Sequence, residues 1–291
     1  RQMCIRDRPH GMPTVAGVVR GWLTTVERAS RLLLPDGALN ERVVAERCEL
    51  ALLGPEHPDN DPVSFLLGVG QLVRMGEKAA GWVPDIAHAL ELAVKSAAHD
   101  WALGPALAAA DHVLGVADER RARRDLAAVR DRLPVSAAVP AEAPSDTARF
   151  LAWAELRIAD AGVAGGRLFP CGLPAGWEGN NFEVYGVPTG ATSTVSFAIR
   201  WHGERPAVMW EQSGDAVALS APVLAPDWHT TEVKGEALWP QTPGLSPVPP
   251  APPAAAAATD ARQIPAEGDS FRRWPADSQP SRHRGQLRAR C

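Results

Sequence analysis

From about Thr14 to Ala161 the apolar residues recur at helical spacing, segment after segment. Val15, Val18, Trp22, Val26, Ala29 and Leu33 form a first stripe, which Pro35-Asp36-Gly37 ends with turn chemistry. Val44, Cys48, Ala51 and Leu52 predict a second helix stopped at Gly54-Pro55. Asp61-Pro62 supplies an N-cap acceptor and a proline at the first helical position. The helix it opens carries Phe65, Leu66, Val69, Leu72 and Val73 as far as Gly76. Ile86, Leu90, Val94 and Ala97 follow Val83-Pro84-Asp85, and Leu107, Ala110 and Leu114 follow Gly104-Pro105. Leu126, Val129 and Leu133 lie on a charged helix, and Ser145 is read as the cap of a last one with Phe150, Leu151, Ala154 and Ile158. Short connections make these consecutive antiparallel helices, a bundle or part of an α/α toroid.

Around Gly165-Gly166 the period changes from helical to alternating. Val195, Phe197, Ile199 and Trp201 alternate with Thr194, Ser196, Ala198 and Arg200, as a strand with one buried face requires. His202-Gly203-Glu204-Arg205-Pro206 turns the chain into Ala207 to Glu211, where Val208 and Trp210 continue that face. Leu168, Phe182 and Val184 precede this pair of strands, and Val217 and Leu219 follow it. The expected fold is α+β: a helical array over 9–164 with a linker at 133–145, then a small antiparallel β-sandwich over 165–240. Pro240 to Ala258 is dominated by proline and alanine and cannot bury enough apolar surface to order itself, so 241–291 is expected to be a disordered tail.

Composition narrows the function classes. The formal net charge of −4 offers no field for nucleic acid or an anionic membrane, and no apolar run is long enough to span a bilayer. Cys48 and Cys171 have no paired spacing, which favours a reduced, cytoplasmic setting. Residues 1–8, Arg-Gln-Met-Cys-Ile-Arg-Asp-Arg, are what the end of a transposase-library adapter encodes. They are therefore read as non-native, with natural sequence starting near Pro9 and the chain a fragment of a longer protein.

Candidate chemistry is sparse. His10, His57, His88, His99, His112, His202 and His229 are scattered without metal-ligand spacing, so no metal or other cofactor is expected. Arg120, Arg121, Arg123, Arg124, Arg130 and Arg132 are interleaved with Glu119, Asp125 and Asp131, the pattern of a solvated helix face. No glycine-rich phosphate loop, Gly-x-Ser-x-Gly elbow or Rossmann fingerprint is present. Acids and aromatics do gather at helix ends: Asp59, Asp61, Trp82, Asp85, Asp100 and Trp101 would rim a cleft if the helices closed into a toroid. Asp61 is equally explained as a cap and Asp85 as a first-turn charge. In the β region, Trp201 and Trp210 share the buried face, whereas Trp177 and Trp228 stand in Gly/Pro contexts that suit either packing or stacking on a sugar ring. The substrate-binding candidates are accordingly Trp82, Asp85, Asp100, Trp101, Trp177 and Trp228.

Gly172-Leu-Pro-Ala-Gly-Trp177, Phe182-Glu-Val-Tyr-Gly-Val187 and Val195 to Arg200, placed after a run of helices, resemble the C-terminal region of bacterial helical-toroid carbohydrate enzymes. That group includes glucoamylase-like hydrolases, debranching-type glucosidases and maltose-phosphorylase-like enzymes. The resemblance covers 166–201 and matches no catalytic acid. It implies a carbohydrate partner and a glycoside hydrolase or phosphorylase acting on α-glucans or oligosaccharides. Two other readings stay open, a non-catalytic carbohydrate-binding or regulatory protein and a helical adaptor for protein partners.

Overall fold

The computed structural model describes residues 13–96, 99–133, 138–162 and 165–240. The adapter reading of 1–8 and the expected disorder of 241–291 lie outside them. Seven α-helices and nine strands occur among the described residues, and the fold is α+β. No helix there is long and apolar enough to cross a membrane.

Capping chemistry decides where most helices begin and end. Helix α1 (Val15–Val26) opens on the Thr14 hydroxyl, which accepts from the Gly17 amide, and α2 (Gly37–Leu53) opens on Asp36 and stops at Gly54. Asp61 accepts from the amides of Val63 and Ser64 at the head of α3 (Pro62–Met75), and Gly76, at φ +113°, ends it in the left-handed region. Helix α3 is buried on all sides, and α4 (Val83–Ser96) and α5 (Leu103–Val116) follow it. A Cβ built on Gly70 would stand 2.7 Å from the Cβ of Ala109, so α3 and α5 approach at a distance only glycine permits. Helix α6 (Arg120–Arg130) buries Leu126, and its arginines meet acids: Arg120 with Asp118, Arg121 with Asp125, Arg123 with Asp111. Helix α7 (Thr147–Leu156) is capped by Asp146, one residue beyond the expected Ser145.

Four local expectations need correction. The first stripe does not run to Leu33: α1 ends at Val26, and Arg31–Leu33 form strand β1. Only Leu32 of β1 points inward, and three residues are too few for alternation to show against a helical stripe. On α2 the buried face is Val43, Arg47 and Leu50, whereas Leu52 is 67 % exposed. That face includes a polar residue, Arg47, which finds an ionic partner, Glu155, in the core. The helical pattern also stops short of Ala161, because Ala159–Gly162 form β2, a hairpin partner of β3 (Gly165–Leu168). Lastly, Val217 precedes its strand rather than belonging to it, since β7 spans Leu219–Ala221.

The remaining strands are β4 (Phe182–Pro188), β5 (Ser193–His202), β6 (Arg205–Gly214), β8 (Ala225–Thr230) and β9 (Lys234–Leu238). They complete a five-stranded sheet, β1-β4-β5-β6-β9, and a four-stranded sheet, β2-β3-β7-β8. The predicted face of β5 is present, with Val195, Phe197 and Ile199 buried, and a two-residue Gly203-Glu204 turn joins it to β6 with Gly203 at φ +64°. Against the all-antiparallel expectation, β3 pairs β7 in parallel. Gly166 allows that approach: a Cβ there would lie 2.8–2.9 Å from Leu219 and Thr189.

One core cluster runs through both regions. Val26, Leu50, Phe150 and Ile158 pack with Leu168, Phe182, Val184, Phe197, Val208 and Trp239, and a second cluster lies among α3 to α7. The change of period at Gly165 therefore marks a change of secondary structure within a continuous core. Phe169, at φ +47° and fully buried, ties the sheets together through edge-to-face contacts with Phe182 at 5.8 Å and Phe197 at 5.5 Å.

Candidate functional site

Helix α7 carries Glu155 into the interior, where its carboxylate becomes the hub of a buried ionic cluster. Oε1 accepts from Ser30 Oγ at 3.0 Å, Arg47 Nη2 at 2.8 Å and Arg74 Nη1 at 3.1 Å. Oε2 accepts from Gln71 Nε2 at 3.0 Å and Arg74 Nη2 at 2.6 Å. Burial by itself would favour the neutral acid, but Arg74 and Arg47 outweigh it and hold the carboxyl below the usual range. The same burial depresses Arg47 to about 10 in spite of Glu155. The Arg74 contact is a two-bond fork, the geometry in which guanidinium and carboxylate match best.

Six residues from the hub, Arg149 builds the inverse cluster near the start of α7. Its guanidinium is a fork between two acids: Nη1 donates to the oxygens of Asp100 at 3.0 and 2.8 Å and Nη2 to those of Asp61 at 3.2 and 3.1 Å. Burial opposes the charge on Arg149, and the two acids prevail and push its pKa up. Asp61 serves this fork while capping α3, and Asp100 accepts from the Ala102 amide ahead of α5.

Between these clusters, where α3, α5 and α7 face the ends of the sheets, lies a cavity of about 880 Å³. Leu67, Leu107 and Ala152 give it apolar walls, Trp101 lies at the Asp100 end, and Gln71 and Arg74 line it from α3. The volume falls within the usual range for small-molecule sites. His112 reaches the wall from α5 with Nδ1 2.7 Å from the carbonyl of Ala191. A carbonyl only accepts, so Nδ1 carries hydrogen. Burial lowers the ring's pKa against that bond, leaving Nε2 with a lone pair at neutral pH. Also on the lining, Arg167 pairs with Asp160 across the β2–β3 hairpin, with Nε–Oδ1 at 2.8 Å.

The sequence-predicted residues divide between this cavity and other places. Asp100 and Trp101 line it. Trp82 lies elsewhere, its indole N–H donating to Glu77 at 3.2 Å and its ring edge-on to Phe65, and Asp85 is exposed in the first turn of α4. Trp177, only 4 % exposed, packs against Phe182 at 5.3 Å and keeps no ring face for a ligand. Trp228 is half-buried between Trp210 and Trp239, at 5.3 and 5.2 Å. Asp59 pairs with His88 at 2.6 Å. Sequence reasoning missed Arg47, Gln71, Arg74, His112 and Glu155. For Gln71, Arg74 and Glu155 the signal was polarity inside apolar stretches: Gln71 and Arg74 interrupt the apolar run from Phe65 to Met75, and Glu155 ends Phe-Leu-Ala-Trp-Ala-Glu.

No protein-family model, curated protein or solved structure matches this chain. The cavity itself is thus the guide to function. The acids on its wall, Asp100, Glu155 and Asp160, are each ion-paired to an arginine. Among the described residues no three His, Cys, Asp or Glu side chains group as a metal site.

Proposed function

We propose that the cavity binds carbohydrate and that its wall acids orient the sugar without cleaving it. The observation that carries this reading is the combination, in one cavity of about 880 Å³, of apolar walls, an indole at Trp101 and planar polar side chains at Gln71, Arg74 and Asp100. Sugar rings present apolar C–H faces to an indole and hydroxyls to such planar groups. Glycoside hydrolysis needs one carboxyl kept protonated as an acid opposite a second that activates water or attacks. Arg74 and Arg47 hold Glu155 in its ionised form, and the oxygens of Asp100 and Asp160 are already engaged by Arg149 and Arg167, which supports binding over cleavage.

Calorimetric titration of the full chain with maltotriose, with chromatography of the sugar after long incubation, tests both halves. Saturable binding is expected, about tenfold weaker in Trp101→Phe, or about 1.4 kcal/mol, with the sugar recovered intact. Absence of binding by maltotriose and by its acidic and phosphorylated counterparts overturns the carbohydrate reading. Release of shorter sugars overturns the non-catalytic half alone.

A further inference from the structure

The two ends of the cavity carry ion clusters of different composition. At the Asp100 end one guanidinium, Arg149, faces two carboxylates, Asp61 and Asp100. Helix α5 leads from there to His112, about 14 Å from Leu103 at 1.5 Å per residue. At that far end one carboxylate, Glu155, faces two guanidiniums, Arg47 and Arg74. Arg47 is sealed in the core, and Arg74 lies on the cavity wall. Neighbouring acids do not cancel this excess. Asp111, beside His112, is shared between Arg123 at 2.7 Å and Arg130 at 3.8 Å, and Asp215 also acts on Arg123, so these two acids are matched by two arginines. Glu27, which also acts on Arg47, is partly exposed and paired with Arg31.

A cationic excess withdrawn from water is unfavourable until an anion meets it. We propose that the Arg74–His112 end of the cavity binds the anionic group of its ligand, a carboxylate or a phosphate monoester. The ligand is then an acidic or phosphorylated sugar, oriented with its ring toward Trp101. The identity of the ring rests on the carbohydrate reading above, whereas the anion subsite stands on the charges alone.

Each partner has a defined part. Arg74 spends two N–H groups on Glu155 and keeps its remaining donors for the ligand. His112 holds Nδ1–H on Ala191, and among the described residues no bond to its Nε2 is found. The groups acting on the ring are Arg74 from α3, Arg123 from α6, its neighbour Asp111 and the Ala191 carbonyl. In the free protein burial, reinforced by Arg74 and Arg123, keeps it neutral. An anion set between Arg74 and Nε2 draws a proton onto Nε2, so that anion binding is coupled to proton uptake by His112.

The test uses the full chain labelled with 15N-histidine. It is titrated at neutral pH with inorganic phosphate, glucose 1-phosphate, glucuronate and maltotriose, while the His112 nitrogens are followed by NMR and affinities by calorimetry. The expected result is that phosphate moves Nε2 toward the protonated shift and that an anionic sugar binds at least about tenfold more tightly than maltotriose. Glucose 1-phosphate or glucuronate as the tighter ligand identifies phosphate or carboxylate as the natural source. Arg74→Lys keeps the charge but loses the fork, and is expected to weaken phosphate about tenfold while folding as judged by its melting curve. If that variant does not fold, the His112 signal of the unaltered protein decides. Maltotriose binding as tightly as the anionic sugars, with His112 unmoved by phosphate, overturns the inference and leaves the carbohydrate reading standing. Phosphate moving His112 while maltotriose does not bind and no anionic sugar binds more tightly than phosphate supports the anion subsite and ends the carbohydrate reading. No response to any ligand, or a folded Arg74→Lys with unchanged phosphate affinity, overturns the inference.

Discussion

Helix α7 carries two three-body ion clusters of opposite composition, six residues apart. Arg149 holds two acids and Glu155 holds two arginines. Water reaches the first, since the Asp61 side chain is 35 % exposed, whereas the Arg47 and Glu155 side chains are 2 % and 9 % exposed. The difference teaches that similar pairing distances carry different consequences. Partners of a partly solvated fork are replaceable by water, while those of a buried hub are not.

The largest expected effect is at the hub. Glu155→Gln preserves shape and leaves two buried guanidiniums without an anion, which is expected to cost about 3–5 kcal/mol in urea unfolding. Arg47→Met removes one of the two cations and is expected to cost clearly less, although it too is a core substitution. Acid titration checks the same idea. The folded carboxyl titrates below its unfolded value of about 4.3. Its contribution is therefore fully present above that value and lost as pH falls through the lower, folded one. Stability of the unaltered protein should fall below about pH 4.3 more steeply than that of Glu155→Gln. Parallel acid limbs would show that the hub is not a main source of acid lability.

A middle-sized effect is expected at the helix contact that sets one side of the cavity. Gly70→Ala places a methyl group 2.7 Å from that of Ala109, so α3 and α5 must part. Overpacking of this kind costs about 1–3 kcal/mol. Because Gln71 and Arg74 ride on α3 and His112 on α5, the same substitution should weaken ligand affinity. A fully stable variant with unchanged affinity would mean that the spacing of these helices does not matter to the cavity.

These contrasts also explain how much could be read in the sequence. Asp61-Pro62, Gly76, the alternation of β5 and the Gly203-Glu204 turn are local devices whose physics is complete within a few residues. They carry the α+β class, the limits of α3 and the turn between β5 and β6. Strand β1 owes its existence to pairing with β4 across much of the chain, with Leu32 opposite Val184. Nothing near Arg31 announces that partner. Arg47 carries no local signal, because an isolated arginine belongs in water, and only the distant Glu155 makes its burial tolerable. Of the site, Asp100 and Trp101 were legible as polar and aromatic groups at a helix end, but Trp177 was not separable from core packing, since both uses demand an indole.

The smallest effect sharpens the comparison most. Asp100→Asn leaves Arg149 with Asp61, and the new amide oxygen can still accept from the Ala102 amide. With both partners partly solvated, the loss of one charge is expected to cost under about 1 kcal/mol in urea unfolding. The variant also removes a negative charge from the Trp101 end of the cavity, so an anionic sugar should bind no worse than before, whereas a neutral sugar that hydrogen-bonds to Asp100 should bind less tightly. A stability loss as large as that of Glu155→Gln would abolish the distinction between fork and hub, because it would show that Asp61 and water cannot stand in for the missing carboxylate.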